Sequence, residues 1–240
     1  MTYCLGIKLK EGLVGISDTR ISAGTSVTVK KKVYVRQSDN SSLFIMTSGL
    51  RSVRDKAVHY FQELIEGGIL YDKLFKAVNA FGEQIKRVSG EDADSLTKAG
   101  YKFNLNAIVG GQLKNDAEHK LFLLYSEGNW VELDEGSPYA IIGNSGQGKA
   151  ILNRVINDDT TIPQALKAGY LSFDSTRVSS NDVAFPIDVV VYKKDSFSML
   201  ENRYEYDELE YISKLWAEKL KQSLDSIPED WMEKALRQTV

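Results

Sequence analysis

The glycine-rich segment GNSGQGKA, residues 143–150, has the spacing of a phosphate-binding loop. Such a loop reads G-x-x-x-x-G-K-[ST], and Gly143, Gly148 and Lys149 occupy its fixed positions. An apolar run precedes the segment and a helix-like run follows it, as a strand–loop–helix unit requires. The last position is Ala150, which has no hydroxyl to hold Mg²⁺. The segment therefore indicates either a degenerate phosphate loop or a loop of the same shape with other chemistry.

Thr2 could carry nucleophilic chemistry of a different kind. Its small side chain permits methionine aminopeptidase to remove Met1, which would leave a hydroxyl and a free α-amine on one residue. A hydroxyl is a poor nucleophile at neutral pH and needs an adjacent base. An α-amine has an ordinary pKa of about 7.7–8.0, so it can be neutral and accept the proton. Threonine is common at position two, so Thr2 alone does not establish a site.

The scarce residue types exclude several other kinds of site. The chain has one cysteine, Cys4, and two histidines, His59 and His119. No zinc-type cluster can be assembled from these at normal spacings, and neither histidine lies near a G-x-S-x-G elbow. Cys4 would become N-terminal only after the loss of three residues, and its place in an alternating strand predicts packing. We therefore expect no metal and no cofactor.

The bulk properties predict a protein that binds neither nucleic acid nor membrane. The 240 residues carry a formal net charge of −3, which gives no general attraction to polyanions. No stretch approaches the roughly 20 apolar residues that span a bilayer. The basic run at residues 30–32 is typical of a solvated strand edge rather than a phosphate-binding patch. The N-terminus does not resemble a signal peptide and a single cysteine forms no internal disulfide, so we expect a cytoplasmic location.

The elements that would position these residues occur in alternating blocks. The pattern predicts strand pairs at 2–21 and 26–49, then helices at 53–68 and 71–90 and a polar connector at 90–100. Strands follow at 103–135 and 139–142, and helices at 150–156 and 162–173. One strand lies within 182–197, and a helical tail begins at 206 and is broken at Pro228. Grouped blocks argue against a parallel sheet and predict an α+β fold, with two antiparallel sheets between helix pairs. A nucleotide-binding loop normally lies in a parallel sheet, so this context also disfavours a nucleotide.

The first fifty residues resemble the start of a proteasome β subunit, the threonine branch of the N-terminal-nucleophile hydrolases. The mature chain in that family begins T-x-x-x-G-I, as residues 2–7 do here. An acidic residue then ends the returning strand, a lysine precedes an apolar–aromatic pair, and a small residue followed by glycine ends the next strand. These positions match Asp18, Lys32 and Gly49.

Two further motifs of that family fall in the second half of the chain. An apolar strand running into a Ser-Gly turn matches IIGNSGQGKAIL, where Ser145 has one extra residue before it. The motif Asp-Ser-x-Ser, expected after the following helix, falls on FDSTRVSSND. Asp174 matches its first position, whereas Arg177 stands where the final serine is expected. The glycine-rich segment thus has a counterpart that binds no nucleotide.

The chain more closely resembles Anbu, the ancestral bacterial β-subunit type, than ordinary β subunits. The features are a Met-Thr start without a propeptide, the segments SDTR and FPIDVVVY, and a long acidic and aromatic tail. The resemblance implies a four-layer αββα sandwich that hydrolyses peptide or amide bonds inside a large, ring-like homo-oligomer. It specifies no unfoldase or operon partner.

The resemblance also implies catalytic roles for the matched residues. The Thr2 hydroxyl would attack a carbonyl, and the freed α-amine would take the proton directly or through water. The ammonium of Lys32 would lower the pKa of that amine, while Asp18 would fix the position of Lys32. The N–H of Gly49 would meet the developing oxyanion. An ordinary surface ion pair is the alternative for Lys32 and Asp18.

The remaining matched positions concern the amine and the substrate. Ser145 and Asp174 would hold the α-amine of the nucleophile. Ser22, Thr47 and Arg51 would line the substrate pocket, where a polar and cationic lining favours acidic or carboxylate-bearing groups.

The C-terminal residues predict a second domain. We expect a hydrolase-like domain at 1–200 and a helical extension at 201–240 that serves oligomer contacts. Apolar residues recur there at helical spacing, at Leu209, Ile212, Leu215, Trp216, Leu220 and Leu224, and again around Trp231. The alternative is that this stripe folds back on its own subunit.

Two other functions stay open at this point. One is a ring-forming scaffold that keeps the fold but has little hydrolase activity. The other is a phosphate-loop nucleotide binder, which lacks the hydroxyl for Mg²⁺ and has no parallel sheet.

Overall fold

The computed structural model describes residues 2–23, 26–68, 71–134 and 136–236, and of residues 22, 23 and 26 the backbone alone. These ranges contain twelve β-strands: β1 Tyr3–Leu9, β2 Gly12–Asp18, β3 Arg20–Ala23, β4 Ser26–Val29, β5 Val33–Ser38, β6 Ser41–Gly49, β7 Leu105–Gln112, β8 Lys120–Leu124, β9 Trp130–Glu132, β10 Tyr139–Gly143, β11 Ile187–Lys193 and β12 Met199–Tyr204. They also contain six α-helices: α1 Arg51–Glu66, α2 Leu74–Lys98, α3 Lys149–Val155, α4 Ile162–Ser179, α5 Tyr206–Asp225 and α6 Glu233–Leu236. None of the described helices is long and apolar enough to cross a membrane.

The strands form two five-stranded sheets and a short ribbon. One sheet has the order β10-β1-β2-β11-β12, the other has the order β5-β6-β7-β8-β9, and β3 pairs with β4. Every pair among the described strands is antiparallel. The predicted α+β class is confirmed.

The two sheets pack face to face through a buried apolar layer. Strands β1 and β10 contact β6 and β7, and β1 also contacts β8. Buried side chains from both sheets form this layer, among them Cys4, Leu13, Phe44, Met46, Ile108 and Tyr192. Because inward and outward residues alternate along each strand, burial of this layer fixes the register in which β1 pairs with β2 and β10. The position of Thr2, just before β1, follows from that register.

Helices cover the outer faces of both sheets. Helices α1 and α2 pack on the β5–β9 sheet, where Phe61, Phe81 and Phe122 are fully buried in a common cluster. Helix α4 packs on β1 and β2. Gly169 allows its close approach, because a Cβ there would lie 2.7 Å from Ile16 Cδ1.

Helix α2 is longer than the sequence pattern predicts. The predicted polar connector at 90–100 is wrong, since the helix runs through Gly90 to Lys98. The residues after Gly90 gain tertiary partners that a polar pattern does not reveal. Lys56 of α1 forms ion pairs with Glu91 and Asp92, at 2.6 and 2.8 Å, and Leu96 packs against the core cluster.

The segment SVTVKKKVYV does not form one strand. It divides into β4, a three-lysine connector and β5, and β4 pairs with β3 instead of following β5 onto β6. The basic run at residues 30–32 was predicted to be a solvated strand edge, and this is wrong for Lys32, whose side chain is only 3% exposed. A buried ion pair turns Lys32 inward, and charge patterning alone does not show this. Strands β5 and β6 pair as far as Ser38 and Ser41, so only a turn at residues 39–40 separates them.

Two boundaries in the last third of the chain also differ from the prediction. Helix α4 continues to Ser179, well past residue 173, so the Asp-Ser-x-Ser motif lies within the helix rather than after it. A capping box between Thr161 and Gln164 sets its beginning. Strand β12 was not predicted because most of its residues are exposed and its apolar residues do not alternate; β11 provides its backbone partners. The predicted domain boundary at residue 200 lies inside this strand.

The chain forms two compact units, Met1–Glu205 and Tyr206–Val240. Unit 1 holds both sheets and helices α1 to α4. Unit 2 consists of α5, a 3₁₀ turn at Asp230–Met232 and α6, as the helical pattern and the break near Pro228 predict. No residue of α5 is buried, and its large exposed apolar side chains include Tyr211, Leu215, Leu220 and Leu224.

Candidate active site

The peptide group that joins Thr2 to Tyr3 is fixed on both sides. Its carbonyl oxygen accepts a hydrogen bond from the backbone N–H of Asn144, at 2.7 Å. Its N–H, which belongs to Tyr3, donates to Asp18 Oδ1 at 2.8 Å. Thr2 is half-buried and directly precedes β1. Asn144 and Asp18, from two distant segments of the chain, fix the orientation of the peptide plane that follows it.

Asp18 and Lys32 form a buried ion pair beside this peptide. Lys32 Nζ donates to Asp18 Oδ1 at 2.6 Å, and the two side chains are 3% and 0% exposed. The alternative of a surface ion pair is therefore wrong. Burial raises the pKa of the Asp18 carboxyl above its ordinary value, while the Lys32 ammonium and the Tyr3 N–H act in the opposite direction. A buried pair of this kind depends on its partners, because removing one leaves an uncompensated charge.

At two glycines of the candidate site, Gly143 and Gly49, the neighbouring backbone comes too close for any side chain. Gly143 has a φ of +88°, and a Cβ there would lie 1.9 Å from the Thr2 carbonyl oxygen and 3.1 Å from Ser48 Oγ. Gly49 has a φ of +144°, and its Cβ would lie 2.1 Å from Asn104 O. Both positions are therefore restricted to glycine. The hydroxyl of Ser48, the residue before Gly49, thus lies close to Gly143 on the side of the Thr2 carbonyl.

The remaining fixed glycine of the apparent phosphate loop has a packing role. Gly148 is buried against α4, and a Cβ there would lie 2.3 Å from Ser172 Oγ and 3.1 Å from Thr176 Oγ1. Lys149 is exposed at the start of α3. The glycines therefore serve a tight turn at Thr2 and a helix contact, and the preceding strand β10 lies in an antiparallel sheet.

Asp174 and Arg177 form an ion pair on α4. Arg177 donates to Asp174 Oδ1 through Nε at 3.1 Å and through Nη2 at 2.7 Å, and the Asp174 side chain is 7% exposed. Arg177 thus occupies the position of the expected serine and supplies a cation where that residue would supply a hydroxyl. Its guanidinium also lies over the ring of Phe185, 5.8 Å from the centroid.

The other predicted residues are less closely connected. Ser145 is half-buried in the loop, and its hydroxyl makes no hydrogen bond with the described part of the chain. Thr47 is buried, its carbonyl accepts from Cys4 Sγ at 3.6 Å, and its hydroxyl has no partner within the described ranges. Arg51 is half-exposed and reaches Asp55 at 3.3 Å. Ser22 lies on β3, but its side chain is outside what is described, so the pocket stays a prediction.

Two aspects of the site were not accessible from sequence. Asn144 acts through its main chain, and a backbone donor has no sequence signature. Ser172, which contacts both Tyr3 and Gly148, lies in a helix that gives no sign of a polar contact there. Met1, whose removal we expect, lies outside the described residues. The described residues contain no group of three or more His, Cys, Asp or Glu side chains that could hold a metal ion.

The chain is similar to several solved structures. Anbu from Hyphomicrobium sp. strain MC1, as a Gly-1 mutant, is 30% identical with a TM-score of 0.87, covering 95% of this chain and 99% of that one. Anbu from Yersinia bercovieri, described as the ancestral β-subunit, is also 30% identical with a TM-score of 0.87, covering 94% and 97%. The helical assembly of the Anbu complex from Pseudomonas aeruginosa is 27% identical with a TM-score of 0.89, covering 94% and 97%. No protein-family model and no curated protein matches the sequence.

Two facing antiparallel sheets, with a buried acid–lysine pair beside Thr2, define a proteasome-related scaffold of the N-terminal-nucleophile hydrolase type. The identity to solved relatives extends over nearly the whole chain. The chain belongs to the Anbu family, as the sequence motifs predict.

Proposed function

We propose that the protein is a self-assembling, proteasome-like hydrolase of peptide or amide bonds that uses Thr2 as its N-terminal nucleophile after removal of Met1. One observation carries this proposal. Asp18 Oδ1 accepts from Lys32 Nζ at 2.6 Å and from the Tyr3 N–H at 2.8 Å. That N–H belongs to the peptide group that joins Thr2 to Tyr3, so the buried pair directly contacts this peptide. A buried charge pair is costly, so its place beside a potential nucleophile favours a chemical role.

The mechanism assigns one step to each group. Thr2 Oγ attacks the substrate carbonyl, and the α-amine freed by loss of Met1 accepts the hydroxyl proton directly or through water. Collapse of the intermediate breaks the C–N bond and passes that proton to the leaving amine, and water then hydrolyses the ester on Thr2, which regenerates the hydroxyl. The Lys32 ammonium disfavours protonation of that amine because like charges repel, and Asp18 holds Lys32 in place. The N–H of Gly49 stabilises the oxyanion, an interaction typically worth about 3 kcal/mol. Ser145 and Asp174 orient the amine.

The proposal also includes the layer arrangement of the fold and the residues that line the substrate pocket. The contacts between the sheets, and of the helices with each sheet, support a four-layer αββα sandwich. Ser22, Thr47 and Arg51 line the pocket for the substrate side chain, and the half-exposed guanidinium of Arg51 favours acidic or carboxylate-bearing groups. No cofactor takes part, and the single cysteine suits a cytoplasmic protein.

Self-association through unit 2 is the second part of the proposal. The relative from Pseudomonas aeruginosa forms a helical assembly. In this chain, α5 carries large apolar side chains that are about half exposed or more, such as Leu215 at 50% and Leu224 at 68%. Exposed apolar surface of this extent typically marks an interaction site. We infer that these side chains contact another copy of the chain in a ring-like or helical homo-oligomer.

The proposed nucleophile is tested with an N-terminal-threonine-directed electrophile and intact mass. Wild-type protein should lack Met1 and gain one probe mass, and Thr2→Ala should abolish labelling and hydrolysis. Thr2→Ser, which keeps a hydroxyl on the amine-bearing residue, is the matched control and should still be labelled. Undiminished labelling of Thr2→Ala would place the nucleophile elsewhere.

A scaffold with little hydrolase activity is the alternative, and two observations favour it. Ser145 makes no hydrogen bond within the described residues, and Arg177 pairs with the Asp174 carboxylate that the mechanism assigns to the amine. Retained Met1 in the intact mass, with a full-size oligomer, would support this alternative.

A further inference from the structure

A buried hydrogen-bond chain links the residue after the nucleophile to the glycine loop. The phenol of Tyr3 donates to Ser172 Oγ at 2.7 Å, and Ser172 Oγ donates to the carbonyl oxygen of Gly148 at 2.9 Å. Tyr3 and Ser172 are both 0% exposed. The chain therefore has no competition from solvent.

The direction of this chain is fixed. Burial raises the pKa of the Tyr3 phenol far above its ordinary value, so the group stays protonated and donates. Ser172 has one hydroxyl hydrogen, and the carbonyl of Gly148 can only accept. Ser172 must therefore accept from Tyr3 and donate to Gly148.

Tyr3 is held through its backbone by Asp18 and through its ring by Phe173 of α4. Its N–H donates to Asp18 Oδ1, and its ring packs edge-on against Phe173 at 5.9 Å between centroids. Gly148 ends the loop whose Asn144 N–H meets the Thr2 carbonyl. Displacement of the phenol would therefore act on the Thr2 peptide from both directions.

We infer that Tyr3 and Ser172 are positioning residues that hold the Thr2 peptide group and the 143–148 loop in fixed relation. This inference rests on the proposed function of Thr2. Neither residue touches the reacting atoms. Their role is to keep the nucleophile within the narrow geometry that attack requires, where a misplacement of about 1 Å costs on the order of a hundredfold.

The structure provides a matched control for the loss of a buried phenol. Tyr192 is also 0% exposed, and its hydroxyl donates to Gln112 Oε1 at 2.8 Å and accepts from the Phe197 N–H at 3.3 Å. It lies on β11 opposite Leu13 and Met199, at the end of the sheet away from Thr2. Tyr192→Phe thus removes one buried hydroxyl without touching the site. For Ser172→Ala the control is Ser175→Ala, because within the described ranges the Ser175 hydroxyl bonds only Leu171 O of its own helix.

The experiment measures the rate of Thr2 labelling by the threonine-directed electrophile, alongside urea unfolding. Tyr3→Phe should lower the labelling rate about tenfold or more at saturating probe with unchanged half-saturation, whereas Tyr192→Phe should change it less than about twofold. Ser172→Ala should cause a similar loss, and the double variant no further loss, because both residues act through one chain. Equal effects of Tyr3→Phe and Tyr192→Phe, at matched stability, would overturn the inference.

A second measurement separates this inference from the proposed function. Backbone deuterium uptake in residues 140–150 should increase in Tyr3→Phe and Ser172→Ala and stay unchanged in both controls. Unchanged uptake in all four variants would refute the positioning role. Absent labelling of wild-type protein, with increased uptake in the two variants, would refute the nucleophile assignment and leave the mechanical link between Tyr3 and the loop supported.

Discussion

At the residue scale, the ion pair of Asp18 and Lys32 is the feature with the sharpest consequences. Both charges are removed from solvent. The Asp18 oxygen that pairs with Lys32 also accepts the hydrogen bond from the Tyr3 N–H. An isolated buried pair contributes little net stability, yet breaking it by removing one partner typically costs about 3–5 kcal/mol. The presence of a buried charge pair at this point is therefore explained by the proposed mechanism rather than by a gain in stability.

Lys32→Met should remove about 99% or more of Thr2 labelling, because the cation near the amine is lost. The neighbouring Lys31 provides the control, since its ammonium pairs with Glu201 at 2.6 Å and its side chain is 44% exposed. Lys31→Met should label like wild type. The double variant Asp18→Asn with Lys32→Met, which leaves no lone buried charge, should regain stability without regaining labelling. Labelling above half of the wild-type rate in folded Lys32→Met would contradict the assigned role.

His119 should make folding stability depend on pH. Burial lowers the pKa of its imidazole, Lys8 and Lys194 lower it further, and the hydrogen bond to Leu9 O and the charge of Glu118 oppose this. The unfolded imidazole binds its proton at higher pH than the folded one, so protons favour unfolding. The contribution is complete above the unfolded pKa of about 6.5 and is lost as pH falls below it.

Urea unfolding between pH 7.5 and 5 checks this sign. His119→Gln, whose amide can still donate to Leu9 O, should flatten the decline in unfolding free energy. His59→Gln is the control, because the His59 side chain is 72% exposed, and it should leave the slope intact. If the unfolding free energy of wild type and of His119→Gln fell equally with decreasing pH, groups other than His119 would cause the decline.

At the element scale, substitution by alanine should have opposite effects on stability at two glycines of helix α2. Gly90 has open space where a Cβ would stand, whereas a Cβ at Gly82 would lie 2.5 Å from Gly128 O. Glycine within a helix loses about 0.5–1 kcal/mol relative to alanine. Gly90→Ala should therefore raise the unfolding free energy by about that amount, and Gly82→Ala should lower it. Thermal or urea unfolding of both variants tests the pair, and a destabilised Gly90→Ala would show that its helix turn is strained.

The sequence predicts elements best where a local pattern and tertiary packing agree. The β1–β2 hairpin, α1 and the apolar strand β11 were predicted correctly because alternation or helical spacing coincides with burial. The extension of α2 depends on ion pairs with Lys56, and β12 depends on β11, so neither is visible locally. Asp18 and Lys32 were found through motif spacing, whereas the contacts of Asn144 and Ser172 exist only in the folded chain.

At the scale of the whole molecule, deletion of residues 206–240 should reduce the size of the oligomer. Unit 1 contains both sheets and should stay folded, while the exposed apolar side chains of α5 are lost. A point variant refines the test: Leu220→Glu, at a side chain that is 51% exposed, should weaken assembly, and the adjacent Lys219→Glu should not. Light scattering measures the molar mass of each. An unchanged mass after deletion, with a native circular dichroism spectrum of the sheets, would assign assembly to unit 1.

The position of β1 inside its sheet governs when the site can exist during synthesis. Strand β1, which directly follows Thr2, is synthesised before both of its sheet neighbours, β2 and β10, and β10 ends at Gly143. Asn144, which fixes the Thr2 carbonyl, follows directly. Domains fold largely as units during translation. A nascent chain that ends before Asn144 therefore has Thr2 without the hydrogen bond that fixes its carbonyl, so the proposed site can form only after β10 has been made.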